Sequence, residues 1–458
     1  MIRSFFVSIL LLLLCTLAAT GQQKTSLSEL LERTKTNAPR LVTDSAAIGI
    51  KSAQLEAIKY NWLPSLKLNY QADIGTNNNL PGGYFSYGIV PSNSRVRADG
   101  NSSSVFTDLG IASLDWEIYN FGMFKAEQRV AASDLEAEKL NFANSQYNIQ
   151  YNVVNDYLQL LRLNDLIQIQ YQNILRNIEI RRTIRSLAIA GIKAGVDTSI
   201  AEAELSKSRL IYLELNNQFK QVQLLLSYNS GIDSSAIQPD TLLENRLINT
   251  YADDGTFPPD TVAHPAITLY RSLYQNSLDR ENLVKKSYLP KISLQAAAWG
   301  RGSSVSAADE FRSLGKGIGC ERGNYLVGVG ITYNILDYKH TRLQLKTQMA
   351  ATQYAQKKLE EQGALISSAL SQADVELSTA NDRLREIPQQ LNAARAAYRQ
   401  KLALYRNGLT NIIELNTALS VLYRAETDYT NAKFLFCKAL FQKAITGNQL
   451  TLLLNSLK

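Results

Sequence analysis

The sequence contains few of the residues from which enzymes and metal proteins build their sites. Three Cys and two His among 458 residues are too few for a disulfide framework or for a site with several Cys and His ligands, so most cysteine and zinc chemistry is excluded. The formal net charge of +7 comes without a basic block or a patch of interleaved basic and aromatic residues. We therefore expect no metal site, no other cofactor and no nucleic-acid partner.

The N-terminus predicts export. Arg3 precedes an almost unbroken apolar run from Phe5 to Leu17, and Ala19-Thr20-Gly21 supplies the small residues that a signal peptidase requires. Residues 1–21 are therefore expected to form a signal peptide that is removed from the exported protein.

Two kinds of membrane anchor are not indicated by the sequence. Leu14 directly precedes Cys15, where a lipidation site has a small residue, so we do not expect Cys15 to carry a lipid. After residue 21, no window of about 18 apolar residues predicts a transmembrane helix. The sequence thus predicts an exported chain without a helical anchor.

The exported part is an internal duplication. Landmarks in its first half recur in the same order in its second half, with offsets that fall slightly toward the C-terminus. The matched pairs are Pro39 with Pro265, Lys59 with Lys285, Leu63-Pro64 with Leu289-Pro290, Trp116-Glu117-Ile118-Tyr119-Asn120 with Tyr333-Asn334-Ile335-Leu336-Asp337, and Gly195 with Gly408. We therefore divide the chain into a first repeat at 22–231, a linker at 232–262 and a second repeat at 263–458.

Each repeat contains two segments in which apolar and polar residues alternate. This is the period of a strand with one apolar face, and it is clearest at 66–74 and 325–335. Long polar segments separate the two strands of each repeat and are expected at the surface, as hairpin tips. The sequence therefore predicts β-hairpins at about 63–119 and 289–336.

One of the four strands is irregular. Leu109 and Ile111 have the opposite parity to Leu114 and Trp116 within the same segment. A change of parity inside a strand indicates an inserted residue, so we expect a β-bulge near Ser113.

After its hairpin, each repeat continues into a very long helix and a shorter return helix. Apolar residues recur at heptad spacing along 124–187 and 338–406, and shorter runs with the same spacing follow at 205–226 and 412–440. The first long helix carries two adjacent stripes, which indicates neighbours on two sides, as in a ring of helices.

Four strands cannot cross a membrane as an open sheet. Unpaired backbone groups at the edges cost several kcal/mol each in hydrocarbon, and the smallest closed membrane barrels have about eight strands. Closure therefore requires several copies of the chain, and three copies supply twelve strands above a ring of twelve helices. A soluble helical bundle with a structural or adhesin-like role is the alternative. An exported carboxylate enzyme such as a glycosidase is disfavoured, because heptads occupy half of the chain.

In their order and duplication these elements resemble the TolC family of outer-membrane efflux proteins. The motifs that carry the resemblance are Leu63-Pro64, Leu289-Pro290, Tyr405-Arg406-Asn407-Gly408-Leu409-Thr410, and the landmarks Pro39 and Pro265. The resemblance implies a mainly α protein with a membrane β-barrel: a homotrimer with a twelve-stranded barrel in the outer-membrane lipid and a helical barrel in the periplasm. It also implies a passive, gated conduit for efflux or secretion that is no enzyme. A periplasmic adaptor links such a conduit to an inner-membrane pump.

The resemblance also assigns a docking role to the two turns that join each long helix to its return helix. These turns would form the periplasmic tip that binds the adaptor, through Gly195, Val196 and Asp197 in the first repeat and Gly408, Leu409 and Thr410 in the second. Asp197 departs from the Thr or Ser of the family motif. Glycines that end one helix and polar residues that cap the next would give the same pattern for structural reasons alone.

Three further residues are candidates for a periplasmic gate. The family lines its narrow aperture with acidic residues early in the return helices, where Glu414 and Glu202 stand here. A ring of three carboxylates would favour cations. Tyr405 resembles the family's latch tyrosine between helices. Each has a structural alternative, because Glu near a helix N-terminus complements the dipole and Tyr405 lies on a heptad stripe that favours the core.

Overall fold

The computed structural model describes residues 25–76, 78, 96, 99–191, 194–252 and 258–456. The predicted signal peptide at 1–21 and Cys15 lie outside these residues, as does most of the polar segment between the first two strands. Within the first repeat the elements are α1 (Leu27–Asn37), α2 (Pro39–Lys59), β1 (Ser65–Gly75), β2 (Val105–Tyr119), α3 (Met123–Ile189) and α4 (Val196–Ser230).

A short helix lies in the linker, and the second repeat follows the plan of the first. The elements here are α5 (Leu243–Tyr251), α6 (Pro265–Ser287), β3 (Lys291–Ser303), β4 (Arg322–Thr332), α7 (Tyr338–Arg406), α8 (Ile412–Thr446) and α9 (Leu450–Asn455). The predicted fold class is therefore confirmed as far as a single chain extends: a mainly helical, duplicated protein with a small sheet. None of the described helices combines the length and the apolar character needed to cross a membrane.

Local chemistry sets several of the helix ends. The Ser26 side chain accepts a hydrogen bond from the backbone N–H of Glu29 and so caps the N-terminus of α1. Pro39 opens α2, at the first helical position, where the missing N–H costs nothing. Gly231 ends α4 with φ 71°, a left-handed conformation, and its N–H bonds to the carbonyl of Ser227.

The four strands form one antiparallel sheet in the order β1-β2-β3-β4. Both repeats contribute to it, because β2 of the first repeat pairs with β3 of the second. Registers such as Ala112 opposite Ala298 and Ala296 opposite Val327 bring the apolar residues of all four strands to one face. Every residue of β1 is exposed, as is nearly all of β4, and these two strands form the edges of the described sheet.

The bulge expected near Ser113 is wrong. Ser113 pairs regularly with Lys67 on one side and with Ala297 on the other, and the irregularity lies between Glu117 and Tyr119 instead. Leu109 and Ile111 simply occupy the polar face, where Ile111 stands opposite Asn69 and Trp299. Apolar residues on both faces of one strand produced the misleading change of parity.

The chain divides into two compact units. One contains the sheet with the adjoining helical segments, at Lys51–Leu135 and Gln275–Gln353. The other contains the remaining helical segments, including most of α3 and α7 and all of α4, α5, α8 and α9. Each unit thus combines segments of both repeats.

The helical unit has two apolar cores. The first joins residues of every helix except α6, and its largest fully buried side chains include Tyr157 and Phe436. Tyr157 donates a hydrogen bond to the carbonyl of Thr25 (2.9 Å) and accepts one from the N–H of Asp240 (2.8 Å), while burial raises the pKa of its phenol to about 12. This tyrosine therefore ties the start of the first repeat and the linker to α3.

An ion triad supports the same core. Lys433 of α8 lies 2.7 Å from a carboxylate oxygen of Asp165 in α3 and 2.8 Å from one of Glu244 in α5. Glu244 is almost fully buried. Because a buried carboxylate is costly without a partner, the Lys433 cation holds the linker helix against α3 and α8.

The second apolar core lies near the turns between the long and return helices. It is formed by residues of α3, α4, α7 and α8: Ile180, Ile184, Ala201, Leu391, Ala394, Tyr398, Tyr405, Ile412, Leu415, Leu419, Leu422 and Ala425. This core positions the candidate site.

Candidate periplasmic tip and gate

The turn from α7 to α8 is a Schellman motif. The N–H of Leu409 bonds to the carbonyl of Leu404 (2.9 Å), and the N–H of Gly408 bonds to the carbonyl of Tyr405 (3.0 Å). Gly408 has φ 77°, a left-handed conformation that glycine adopts without strain. The Asn411 side chain then accepts from the N–H of Glu414 and caps α8. The second tip, residues 407–411, is therefore compact and defined by its sequence.

The turn from α3 to α4 is built differently. Here Gly191 takes the left-handed conformation, with φ 74°. Gly195, which aligns with Gly408 in sequence, has φ −61° and precedes α4 as its N-cap residue. The carbonyl of Gly195 accepts from the N–H and the hydroxyl of Thr198. The two glycines of the matched motif thus occupy different positions in their turns.

Apolar side chains are exposed at both tips. Val196 and Leu409, both predicted docking residues, are 63% and 73% exposed, and Ile413 beside the second tip is 67% exposed. Isolated exposed apolar residues are common, but a pair at the ends of two helical hairpins forms a surface that another protein can cover. Thr410 instead donates its hydroxyl hydrogen to Glu414.

Glu414 is exposed and paired. Its Oε2 lies 2.6 Å from Nζ of Lys401 in α7 and accepts the Thr410 hydroxyl at 2.7 Å. The hydrogen bond from Lys401, followed by that from Thr410, holds the pKa of the Glu414 carboxyl below its ordinary value. Glu414 therefore stays ionised in weakly acidic solution.

Glu202 has the same kind of partner in the first repeat. Both of its carboxylate oxygens accept from Nη1 of Arg181 in α3, at 2.9 and 3.2 Å. The two expected gate carboxylates are therefore each compensated by a basic residue of their own chain, which lowers the negative charge that either presents.

Tyr405 is fully buried in the second core. Burial, and then the negative charge of Asp197, raises the pKa of its phenol. This burial of the ring is what the heptad position of Tyr405 favours. Asp197 brings a carboxylate of the first tip into the electrostatic surroundings of the end of α7.

Two ion pairs near this core escaped the sequence reasoning. Arg406, at the end of α7, pairs with Glu179 of α3. Arg176 of α3 makes a bidentate pair with Glu426 of α8, with both N–O distances at 2.8 Å. They connect the first helical hairpin, formed by α3 and α4, to the second, formed by α7 and α8. Charged residues beside heptad stripes are the only sequence signal for such pairs, and that signal does not identify partners in another repeat.

A stripe of exposed apolar residues runs along α4. Its members are Leu210, Leu213, Leu224, Leu225 and Tyr228, which are between 52% and 64% exposed. They recur at the spacing of one helix face. Such a stripe is typical of a helix that packs against a neighbour, and here no segment of the same chain covers it among the described residues.

The described residues contain no group of three His, Cys, Asp or Glu side chains that could hold a metal. Cys320 and Cys437 are both free thiols in the structure. Among its described residues, the helical unit presents a pair of tips and a set of ion pairs.

A duplicated chain with one four-stranded sheet and two helices of this length has the fold of outer-membrane channels. The chain superposes on the outer-membrane channel OprN with a TM-score of 0.71 at 18% identity, over 92% of this chain and 90% of that chain. It superposes on the Campylobacter jejuni channel CmeC with a TM-score of 0.72 at 14% identity, over 94% of this chain and 89% of that chain. For the Vibrio cholerae outer membrane protein VceC the TM-score is 0.70 at 14% identity, over 92% of this chain and 96% of that chain.

The chain belongs to the outer membrane efflux protein family, whose model matches residues 30–228 and 273–439. The matched segments lie in both repeats. No curated protein matches the chain in sequence. Membership confirms the predicted outer-membrane efflux channel, extending into the periplasm, over the alternative of a soluble helical bundle. The family consists of transport conduits.

Proposed function

We propose that this chain is the passive outer-membrane conduit of a tripartite efflux or secretion system and acts as a homotrimer without catalysing a reaction. The observation that carries the proposal is the four-stranded sheet, whose edge strands β1 and β4 are exposed along almost their whole length. Three copies joined edge to edge would form a closed barrel of twelve strands, which removes the unpaired edges that lipid does not tolerate. The repeats at 22–231 and 263–458, joined by the linker at 232–262, would each contribute one hairpin per chain.

The apolar stripe on α4 supports the same assembly. Residues such as Leu213 and Leu224 would be covered by a helix of the next protomer, as in a closed ring of helices. The partner is therefore a second copy of the same chain. This accounts for exposed leucines on a helix whose other face packs within the protomer.

The two tips would dock a periplasmic adaptor. Leu409 and Val196 present exposed apolar side chains next to backbone turns that are held by internal hydrogen bonds. A rigid turn with an apolar residue at its end loses little conformational entropy on binding. The inner-membrane pump would be reached only through this adaptor and would supply the energy of transport.

The gate would lie at the same end and consist of ion pairs rather than a bare acidic ring. Glu414 with Lys401 and Glu202 with Arg181 would line it, while Arg406 with Glu179 would hold the second helical hairpin to the first. Tyr405 would act from the core, by fixing the end of α7. Opening would require these exposed pairs to exchange partners, which costs little for each pair.

The test is the native mass of the protein after extraction in mild detergent. We expect a mass of three protomers for the wild type and for Gln218→Lys, which adds a charge at a half-buried position of α4 outside the stripe. Leu213→Lys with Leu224→Lys should give monomers, because two charges would be buried at the interface. A monomeric wild-type protein would contradict the proposal.

A further inference from the structure

Two arginines stand opposite each other on the polar face of the sheet. Arg301 of β3 and Arg322 of β4 form the last matched pair of their ladder, at the end of the strands where the hairpins turn, the hairpin end. Both residues are exposed. Residues in direct register on one face have Cβ atoms about 4.5–5.5 Å apart, and like charges in this arrangement are destabilising. The pair therefore costs stability without contributing to a core.

The positive charge of this pair is not neutralised within the sheet. Among the described residues, neither arginine takes part in an ion pair. Asp73 of β1 is the acidic strand residue on the same face at this end, but β2 lies between β1 and β3. The Asp73 carboxylate accepts a hydrogen bond from the Gln71 side chain instead (2.8 Å). With two arginines and one aspartate, the strands keep a net positive charge on this face at the hairpin end.

The opposite end of the same face is different. There, where β3 follows α6, Lys291 lies 3.1 Å from a carboxylate oxygen of Glu117 in β2. A basic strand residue on this face thus has an acidic partner at one end of the sheet and lacks one at the other. The excess of positive charge is consequently a local feature of the hairpin end.

Apolar side chains lie beside the arginines. Leu109 stands directly opposite Arg301, and Ile111 stands opposite Trp299, which precedes Arg301 by two residues and shares its face. All three apolar residues are half-buried. We call this group the arginine patch: Leu109, Ile111, Trp299, Arg301 and Arg322. It combines apolar surface with two guanidinium groups on a face that is otherwise mostly polar.

The arginine patch would line the lumen of the channel. In a membrane barrel the apolar face contacts lipid and the opposite face lines the interior, so this placement rests on the proposed trimer. Three copies would arrange six arginines around the hairpin end of one lumen. A ring of arginine side chains in a pore favours anions over cations. The patch is therefore placed to act on whatever leaves the conduit.

We propose that the arginine patch selects organic anions that join an apolar or aromatic body to an oxyanion group such as a carboxylate or sulfonate. A guanidinium group matches the planar geometry of these oxyanions and donates two parallel hydrogen bonds to them. The apolar body lies against Trp299 and Ile111, where contact removes apolar surface from water. A small inorganic anion gains only the electrostatic part of this interaction, and an organic cation is repelled.

The experiment measures current through the full-length protein in planar bilayers, with 2-naphthalenesulfonate added to each side in turn as a blocker. We expect a saturable block that needs a lower concentration than a block by methanesulfonate, which lacks the aromatic body. The naphthalene analogue with an ammonium group should not block at the same concentration. In the double variant Arg301→Gln with Arg322→Gln, the half-blocking concentration should rise by about tenfold or more, because hydrogen bonds to a charged group are lost.

Two further variants divide the patch into its parts. Trp299→Gln should weaken the block by 2-naphthalenesulfonate severalfold and leave the reversal potential in a KCl gradient unchanged, whereas the double arginine variant should shift that potential toward cation preference. Lys67→Gln is the matched control. It removes a positive charge from the same face near the opposite end of β1, where Lys67 pairs in register with Ser113. The half-blocking concentration should not change in this control.

The native mass separates failure of this proposal from failure of the proposed function. Both arginines are exposed and without ion pairs among the described residues, so the double variant should assemble into a conducting trimer like the wild type. A monomeric wild-type protein would overturn both proposals, because the patch would then line no lumen. A conducting trimer that 2-naphthalenesulfonate blocks equally in the wild type and the double variant, or no better than methanesulfonate does, would overturn the role of the patch alone.

Discussion

Glu414 and Lys401 face each other across the second helical hairpin, with 2.6 Å between carboxylate oxygen and ammonium nitrogen. Lys401 lies in the last turns of α7, and Glu414 lies in the first turn of α8. The pair therefore sits beside the tip at which the hairpin reverses. Glu202 and Arg181 repeat this relationship in the first hairpin. Each of these two carboxylates is consequently compensated by a basic residue of its own chain.

Removal of the basic partner should expose the charge of the proposed gate. In Lys401→Ala, the Glu414 carboxylate loses its counter-charge, so we expect stronger cation selectivity in planar-bilayer conductance. Lys401 contributes most to the low pKa of Glu414. Without Lys401, Glu414 should take up its proton at a higher pH than in the wild type. As the solution is acidified, the cation selectivity of the variant should therefore be lost at a higher pH than any cation selectivity of the wild type. Lys358→Ala, which removes an i,i+3 pair within α7, is the control. Unchanged selectivity would exclude Glu414 from the conduction path.

Arg176→Ala should destabilise the contact between α3 and α8. Its bidentate pair with Glu426 is largely shielded from solvent, with the Glu426 side chain 11% exposed. Loss of charged hydrogen bonds in this setting should lower the free energy of unfolding by roughly 2 kcal/mol. The matched control is Arg181→Ala, whose pair with Glu202 is exposed and should contribute about 0–1 kcal/mol. Urea titrations of both variants measure the difference, and equal losses would contradict it.

The two tip glycines should respond differently to alanine. A Cβ at Gly408 or at Gly195 would meet no atom within 4 Å, so sterics with neighbours play no part. Gly408 has φ 77° and Gly195 has φ −61°. Gly408→Ala should therefore cost about 1–2 kcal/mol, whereas Gly195→Ala should be neutral or slightly stabilising. Thermal melting of the two variants compares them, and a larger loss for Gly195→Ala would refute the difference between the turns.

Alkaline solution should weaken the first core. Burial raises the pKa of Tyr157 from 10.0 to about 12, so the native state retains a proton that the unfolded chain has released. The stability that this proton provides is complete below pH 10 and is lost as the pH rises toward 12. Tyr157→Phe should start less stable, since the N–H of Asp240 loses its acceptor, and should show a shallower decline. Unfolding midpoints between these pH values test the prediction, which fails if both proteins decline in parallel.

Much of the fold was predictable, because its elements have strong periods. The alternation of apolar and polar residues from Leu66 to Ile74 is that of a strand with one apolar and one polar face. The heptads of α3 and α7 extend far beyond the length of ordinary helices. The predicted extents of the long helices differ from the observed ones by at most two residues. The bulge was misplaced because Ile111 is an apolar residue on the polar face, and parity alone does not distinguish such a residue from an inserted one.

Less of the candidate site than of the fold could be predicted from the sequence. Glu414 and Gly408 were found through a motif, but the partners that decide their behaviour were not. Arg406 and Glu179 belong to different repeats, and a pair of this kind is set by how two helical hairpins pack. The difference between Gly191 and Gly195 is also three-dimensional, since both glycines lie in one turn and only their backbone angles separate them.

The pairing of β2 with β3 joins the two repeats as closely as each hairpin joins its own strands. In the proposed trimer, six similar hairpins would alternate around the axis, although only three copies of any residue exist. A substitution in one repeat would thus alter every second position of the ring and leave the intervening positions intact. Duplication therefore lets the three hairpins of one repeat evolve for contact with a partner while the three hairpins of the other repeat preserve the architecture.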